Sequence, residues 1–284
     1  MRDIAPIRVR VSSVVLLAML TGFQFTTGNP PSSQHEGHIQ QNVPNRVVKR
    51  DRELEAIVAA LPGMPPVFEA DVAIRVAESN GILDRRMKID LLTRAFHLAE
   101  SAQEPVSRVA RPGTKVDSRS GYLEMAFHLS LDKMSLQSRA VNALLSVDAK
   151  RGRDLFEQMT APALPPLACE EPLTYDISLP YEVLGRLVAQ GFTAKERAEG
   201  RHLALLRTYV GELRSHAQVI PAVHVLQTAA LRSGDEAELV ALFSHSLERL
   251  RGDQGSFAGT MSSEGLSAFA RLIIQLEAKE ISTT

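Results

Sequence analysis

Apolar residues recur every three to four positions over most of the chain after residue 50, and turn chemistry interrupts them at short intervals. That period is the mark of amphipathic helices, and it predicts about eleven of them. The first two cover 51–61, stopping at Pro62-Gly63, and 65–79, stopping at Asn80-Gly81. A third starts at an Asp84 cap and runs to about 103, with Met87, Leu91, Ala95 and Leu98 in one stripe beside Leu92, Phe96 and Ala99. Helices follow at 120–131, 135–147, 149–159 and 180–190. The next has the clearest start, because Thr193 stands three residues before Glu196, the spacing of a capping box. It runs to 213 and is followed by 215–232 with a kink at Pro221, then 235–251 and 262–279.

No strict alternation and no Asn-Gly turn between apolar runs competes with this pattern, so the expected fold class is all-α, without strands. Most joints are short, which favours antiparallel hairpins. An irregular, solenoid-like array of hairpins over 51–284 is therefore expected, with a compact helical bundle as the alternative. Ala95-Phe-His-Leu98 recurs as Ala126-Phe-His-Leu129, close to the spacing of tetratricopeptide (TPR-like) repeats, but their Trp, Gly and Pro signature is missing. Two long loops break the array, at 105–118 and 160–179. The second, TAPALPPLACEEPLTYDISL, gathers four prolines and the sole Cys, and its Leu164, Leu167 and Leu173 predict that it packs down.

The first fifty residues have a different character. Arg2, Arg8 and Arg10 precede an apolar run from Val11 to Leu20, and Thr26, Thr27 and Gly28 follow. A basic stretch, a short apolar core and small residues make a signal peptide over 1–28. The expected destination is periplasmic or secreted, with an N-terminal membrane anchor as the alternative, since the run is short for a spanning helix. Residues 29–50, NPPSSQHEGHIQQNVPNRVVKR, have little to bury and read as a flexible linker. His35 and His38 within it lack the spacing of a metalloprotease helix.

Composition narrows the chemistry. The chain of 284 residues carries 32 Lys and Arg against 33 Asp and Glu, so no global field attracts nucleic acid, and no local basic stripe supplies one. A single Cys excludes an internal disulfide and a Cys-rich zinc cage. The absence of Trp, with 5% aromatic residues, weakens roles built on ring stacking. No nucleophile elbow, phosphate loop, dinucleotide fingerprint or His-Glu-x-x-His occurs. Glu78-Ser79 is similar to the Glu-Ser pair of lytic transglycosylases, but the Gly-Leu-Met-Gln segment those enzymes carry is missing. No catalytic residue, metal or cofactor is implied.

His97, His128 and His245 share helix faces with charged residues and read as solvated, His128 as a salt-bridge partner of Glu124. His202 and His224 sit beside apolar stripes and read as partly buried. If a binding site exists, its candidates are these two histidines together with Cys169, Glu170, Glu171, Tyr175 and Asp176 of the second long loop. Glu170 works against thiolate formation at Cys169, which leaves that residue a poor nucleophile.

Three stretches, SLQSRAVNALLSVD at 135–148, PLACEEPLTYD at 166–176 and FTAKE at 192–196, resemble a group of exported α-helical proteins of soil bacteria with no known activity. The resemblance implies export and an all-α body that continues past Thr284, and it brings no site residue with it. Leu266, Phe269, Leu272, Ile273 and Leu276 give the last helix an apolar face that needs covering. The leading expectation is an exported helical scaffold that binds a protein or peptide partner in the cell envelope. The alternative is a small-molecule binder or enzyme that uses the 160–179 loop, in which case the candidate residues converge on one concave pocket.

Overall fold

A computed structural model describes residues 44–79, 84–110, 118–160, 164, 167, 172–229, 231–250 and 263–279. The chain divides into two units, Met1–Asn42 and Val43–Thr284, and every described residue belongs to the second. Residues 1–28, expected to form a signal peptide, and His35 and His38 therefore lie outside the described residues, as do Cys169, Glu170 and Glu171.

The body is all-α in class, as the periodicity predicts. Its helices are α1 (Pro44–Ala60), α2 (Pro66–Glu78), α3 (Arg85–Leu98), α4 (Ser118–His128), α5 (Lys133–Val147) and α6 (Ala149–Phe156). After them come α7 (Ser178–Gln190), α8 (Ala194–Ala198), α9 (Arg201–Gly211), α10 (Val219–Thr228), α11 (Ser233–Leu250) and α12 (Ser263–Ala278). Helix α1 begins at Pro44, inside the stretch whose composition reads as linker up to residue 50.

Side-chain caps set several starts. Asp84 accepts from the Met87 amide at 2.7 Å, and Asp132 and Asp148 accept from Ser135 and Arg151 at 3.0 Å. Thr193 and Glu196 form the expected capping box, each bonding the other's amide.

The helix expected over 193–213 breaks in two, because Gly200 takes a left-handed backbone with φ of 73° between α8 and α9. Pro221 does not kink a long helix. A 3-10 turn, His216–Gln218, precedes α10, so Pro221 stands near the start of that helix, where a missing amide costs least. At Gly200 an added Cβ meets only Leu203 Cδ1 at 3.9 Å, so space is not the constraint. Gly200→Ala is therefore expected to cost about 1–2 kcal/mol through backbone strain alone, which urea unfolding reads directly. No loss of stability would mean that the turn relaxes out of the left-handed region.

Among the described residues the expectation of no strands fails at one place. Strand β1 (Ser107–Ala110) and strand β2 (Leu173–Asp176) pair antiparallel, Ser107 opposite Asp176 and Ala110 opposite Leu173. Each strand comes from one of the two long loops, so these loops are tied to each other across the fold. Four residues are too few to show alternation, which is why the pairing leaves no mark in the sequence.

Helix α5 is the hub: it packs against α2, α3, α6 and α7, and its Leu136, Ala140, Val141 and Leu144 are buried. Helix α7 continues to α10 and α10 to α12, while α9 packs on α11. One hydrophobic cluster extends from Leu61 to Leu276. Leu173 is part of the buried set, and Leu164 and Leu167 pack against the cluster, so these three leucines of the proline-rich stretch are packed down as expected.

Candidate functional site

A cavity of about 820 Å³ opens where the β-pair meets α7 and the segment 216–228. Two helix faces build its walls. Ser178, Tyr181, Glu182, Gly185, Arg186 and Ala189 follow one another at steps of three, one, three, one and three along α7, one side of a 3.6-residue period. Across from them stand His216, Ile220, Pro221, His224, Val225 and Thr228. The end is closed by Val109 and Ala110 of β1 and by Thr174, Tyr175 and Asp176 of β2.

Each polar side chain has a place fixed by its neighbours. Asp176 accepts from the Ser178 amide at 3.0 Å, turning the chain from β2 into α7. Tyr175 is buried, with the Arg108 guanidinium 5.3 Å from its ring centre. Tyr181 donates to the Tyr209 carbonyl at 3.1 Å and accepts from Gln218 at 3.3 Å. Gln218 in turn accepts from the Ser215 amide at 2.9 Å, which locks the 3-10 turn carrying the fully buried His216. Burial pushes the Tyr181 hydroxyl far above the usual tyrosine range and that of Tyr209 up to about 12, so both remain protonated hydrogen-bond donors. Arg186 reaches away from its own helix to Asn142 and to Ser146 of α5. Glu182 and His224 are exposed on facing walls.

The candidate residues thus divide. Tyr175, Asp176 and His224 converge on the cavity, although His224 is exposed where its stripe predicts partial burial. His202 does not line it. It lies half-buried on α9, 6.2 Å from the Phe192 ring between centres, with Nδ1 buried and unbonded among the described residues. His97, His128 and His245 are exposed as predicted, and His128 stands 3.9 Å from Glu124. Among the described residues, no three His, Cys, Asp or Glu side chains gather as metal ligands would.

No family model, curated protein or solved structure matches the chain. The site must therefore be understood from its own geometry. Tyr181, Glu182, Gly185, Arg186 and His216 are lining residues that sequence reasoning missed. The signal for those on α7 was present: a small and charged stripe, Glu182, Gly185 and Arg186, between Tyr181 and Ala189 on a helix that otherwise buries Val183, Leu184 and Leu187.

His202 makes its own test. Burial first, then the nearby Arg197 and Arg232, hold its imidazole below the ordinary 6.5, with Asp235 opposing them. A base with a depressed folded pKa takes up its proton more readily when unfolded, so stability falls as pH drops below 6.5. Thermal unfolding from pH 8 to pH 5 is expected to show a steeper loss in the native protein than in His202→Gln. Parallel curves would mean that His202 carries no such linkage.

Proposed function

We propose that this chain is an exported binding protein that holds a small molecule in the cleft between α7, α10 and the β1–β2 pair. The observation that carries the reading is convergence. Residues from both long loops and from two helix faces enclose one space of about 820 Å³, within the 300–1,000 Å³ of small-molecule sites. Its walls are mainly apolar, with a few polar groups placed around them.

Gly185 supports it further. Glycine inside a helix costs about 1 kcal/mol against alanine, yet here the only atom near an added Cβ is Thr228 Oγ1 at 3.7 Å. Packing does not require the glycine, whereas a close approach of a ligand to the α7 backbone would. The basic and apolar pattern of residues 1–28 supports export. Among the described residues no helix is long and apolar enough to cross a membrane.

The test is ligand-observed NMR with a fragment set of metabolite size, run on the native protein and on Gly185→Phe. The new ring has open space to enter, so the variant is expected to remain folded while binding is lost. Fragments that bind both proteins equally, or neither, would overturn the reading.

A second reading, the scaffold for a protein or peptide partner, is favoured by α4. Tyr122 and Met125 there are 74% and 64% exposed, and Leu123 and the adjoining Leu129 are also exposed. A cluster of large apolar side chains open to solvent is a common mark of a contact surface.

A further inference from the structure

The polar groups around the cleft are not balanced in charge. Glu182 and Arg186 stand one turn apart on α7, the spacing at which a carboxylate and a guanidinium normally pair. They do not pair: Arg186 is drawn across to Asn142 and Ser146 on α5. Glu182 has no ion pair among the described residues, and it lines the cavity. Asp176, the second carboxylate of the lining, uses one oxygen on the Ser178 amide and has no cationic partner among the described residues.

From that separation we infer that the cleft selects an organic cation, an ammonium or guanidinium group on an apolar body, with Glu182 as its counter-ion. The inference rests on the small-molecule reading above and names the class of ligand. The apolar body lies along Ile177, Ile220, Pro221 and Val225, and the charged end meets Glu182 at the exposed side of α7. An anion entering the same space meets two carboxylates, the imidazoles of His216 and His224, and a single guanidinium that already donates to two side chains on α5.

Three probes of one shape test it: 2-phenylethylammonium, 2-phenylethanol and 3-phenylpropionate, titrated calorimetrically into the full chain. The ammonium is expected to bind about tenfold more tightly than the alcohol, the scale of one charge-assisted hydrogen bond, and the carboxylate more weakly than either. In Glu182→Gln the advantage of the ammonium over the alcohol is expected to vanish. Glu182 is exposed and makes no ion pair among the described residues, so the variant keeps its fold, which its melting temperature checks. An alcohol that binds as well as the ammonium, or an ammonium preference that survives Glu182→Gln, overturns the cation assignment and leaves the cleft a ligand site. Failure of all three probes, together with no fragment binding lost in Gly185→Phe, overturns the small-molecule reading as well.

Discussion

Replacing Phe156 by alanine is expected to lower stability by about 3–5 kcal/mol, the range for deleting a fully buried aromatic ring. Phe156 is 1% exposed at the end of α6. Its ring centre lies 5.3 Å from that of Tyr209, which meets Tyr181 edge-on at 5.8 Å. The three rings form a continuous chain of contacts from α6 through α9 to α7, with the last ring lining the cleft. An alanine leaves a void beneath Tyr209, so Tyr209 and the carbonyl that accepts from Tyr181 lose their support. Two results should follow in urea unfolding and in calorimetry: a large drop in the midpoint, and weaker ligand binding under conditions where the variant is still folded. A loss below about 1 kcal/mol would mean that the neighbouring side chains close the void.

Arg153→Met should cost about 2–3 kcal/mol, somewhat less than breaking a fully buried ion pair because the carboxylate partner keeps some water. Arg153 is 8% exposed and serves four partners at once, the weakest of them Glu157 at 4.0 Å. It pairs with Glu196 at 2.9 Å, donates to the Gly191 carbonyl at 3.2 Å and stacks its guanidinium 5.0 Å from the Phe192 ring centre. Through these contacts α6 holds the turn between α7 and α8. Methionine keeps the apolar stem and removes every donor. Lysine keeps the charge but not the planar fork, so Arg153→Lys should fall between the two. The pH profile separates the ion pair from general packing. Arg153 first, and then the Thr193 amide, hold Glu196 down at about 2 from an ordinary 4.5. A carboxylate with a depressed folded pKa contributes stability above its unfolded value, and that contribution is lost as pH falls through the folded one. The native protein should therefore lose stability between pH 4.5 and pH 2 more steeply than Arg153→Met. Parallel curves would show that Glu196 owes its ionisation to the amide and hydroxyl of Thr193 rather than to Arg153.

Most helices of the body were legible in the sequence because their signals are local. Asp84, Thr193 with Glu196, and the stop at Pro62-Gly63 each act within four residues, and the α3 stripe is buried at Leu91, Leu92, Ala95 and Phe96, although Met87 at its start is exposed. Gly200 was passed over because a lone glycine inside a helical pattern does not by itself declare a left-handed turn. The cleft was half legible. Tyr175, Asp176 and His224 stood out as chemistry in unusual surroundings. Nothing in the sequence connects His224 with Glu182 and Arg186, because they meet only through the packing of α10 on α7. The direction of Arg186 depends in the same way on α5, whose Asn142 and Ser146 lie in a helix that registers chiefly as core.

The joining of the two loops also bears on the order in which the molecule assembles. The pairing of β1 with β2 encloses three whole helices, so the chain must settle α4, α5 and α6 before it gains the short ladder that closes the cavity. The ladder is only four residues long, too short to hold by itself. During synthesis the end wall of the cleft therefore forms late, after the hub helix has emerged. In the finished protein the same amides should exchange with solvent deuterium ahead of those in α5, opening the cleft from its β end while the helical core stays shut.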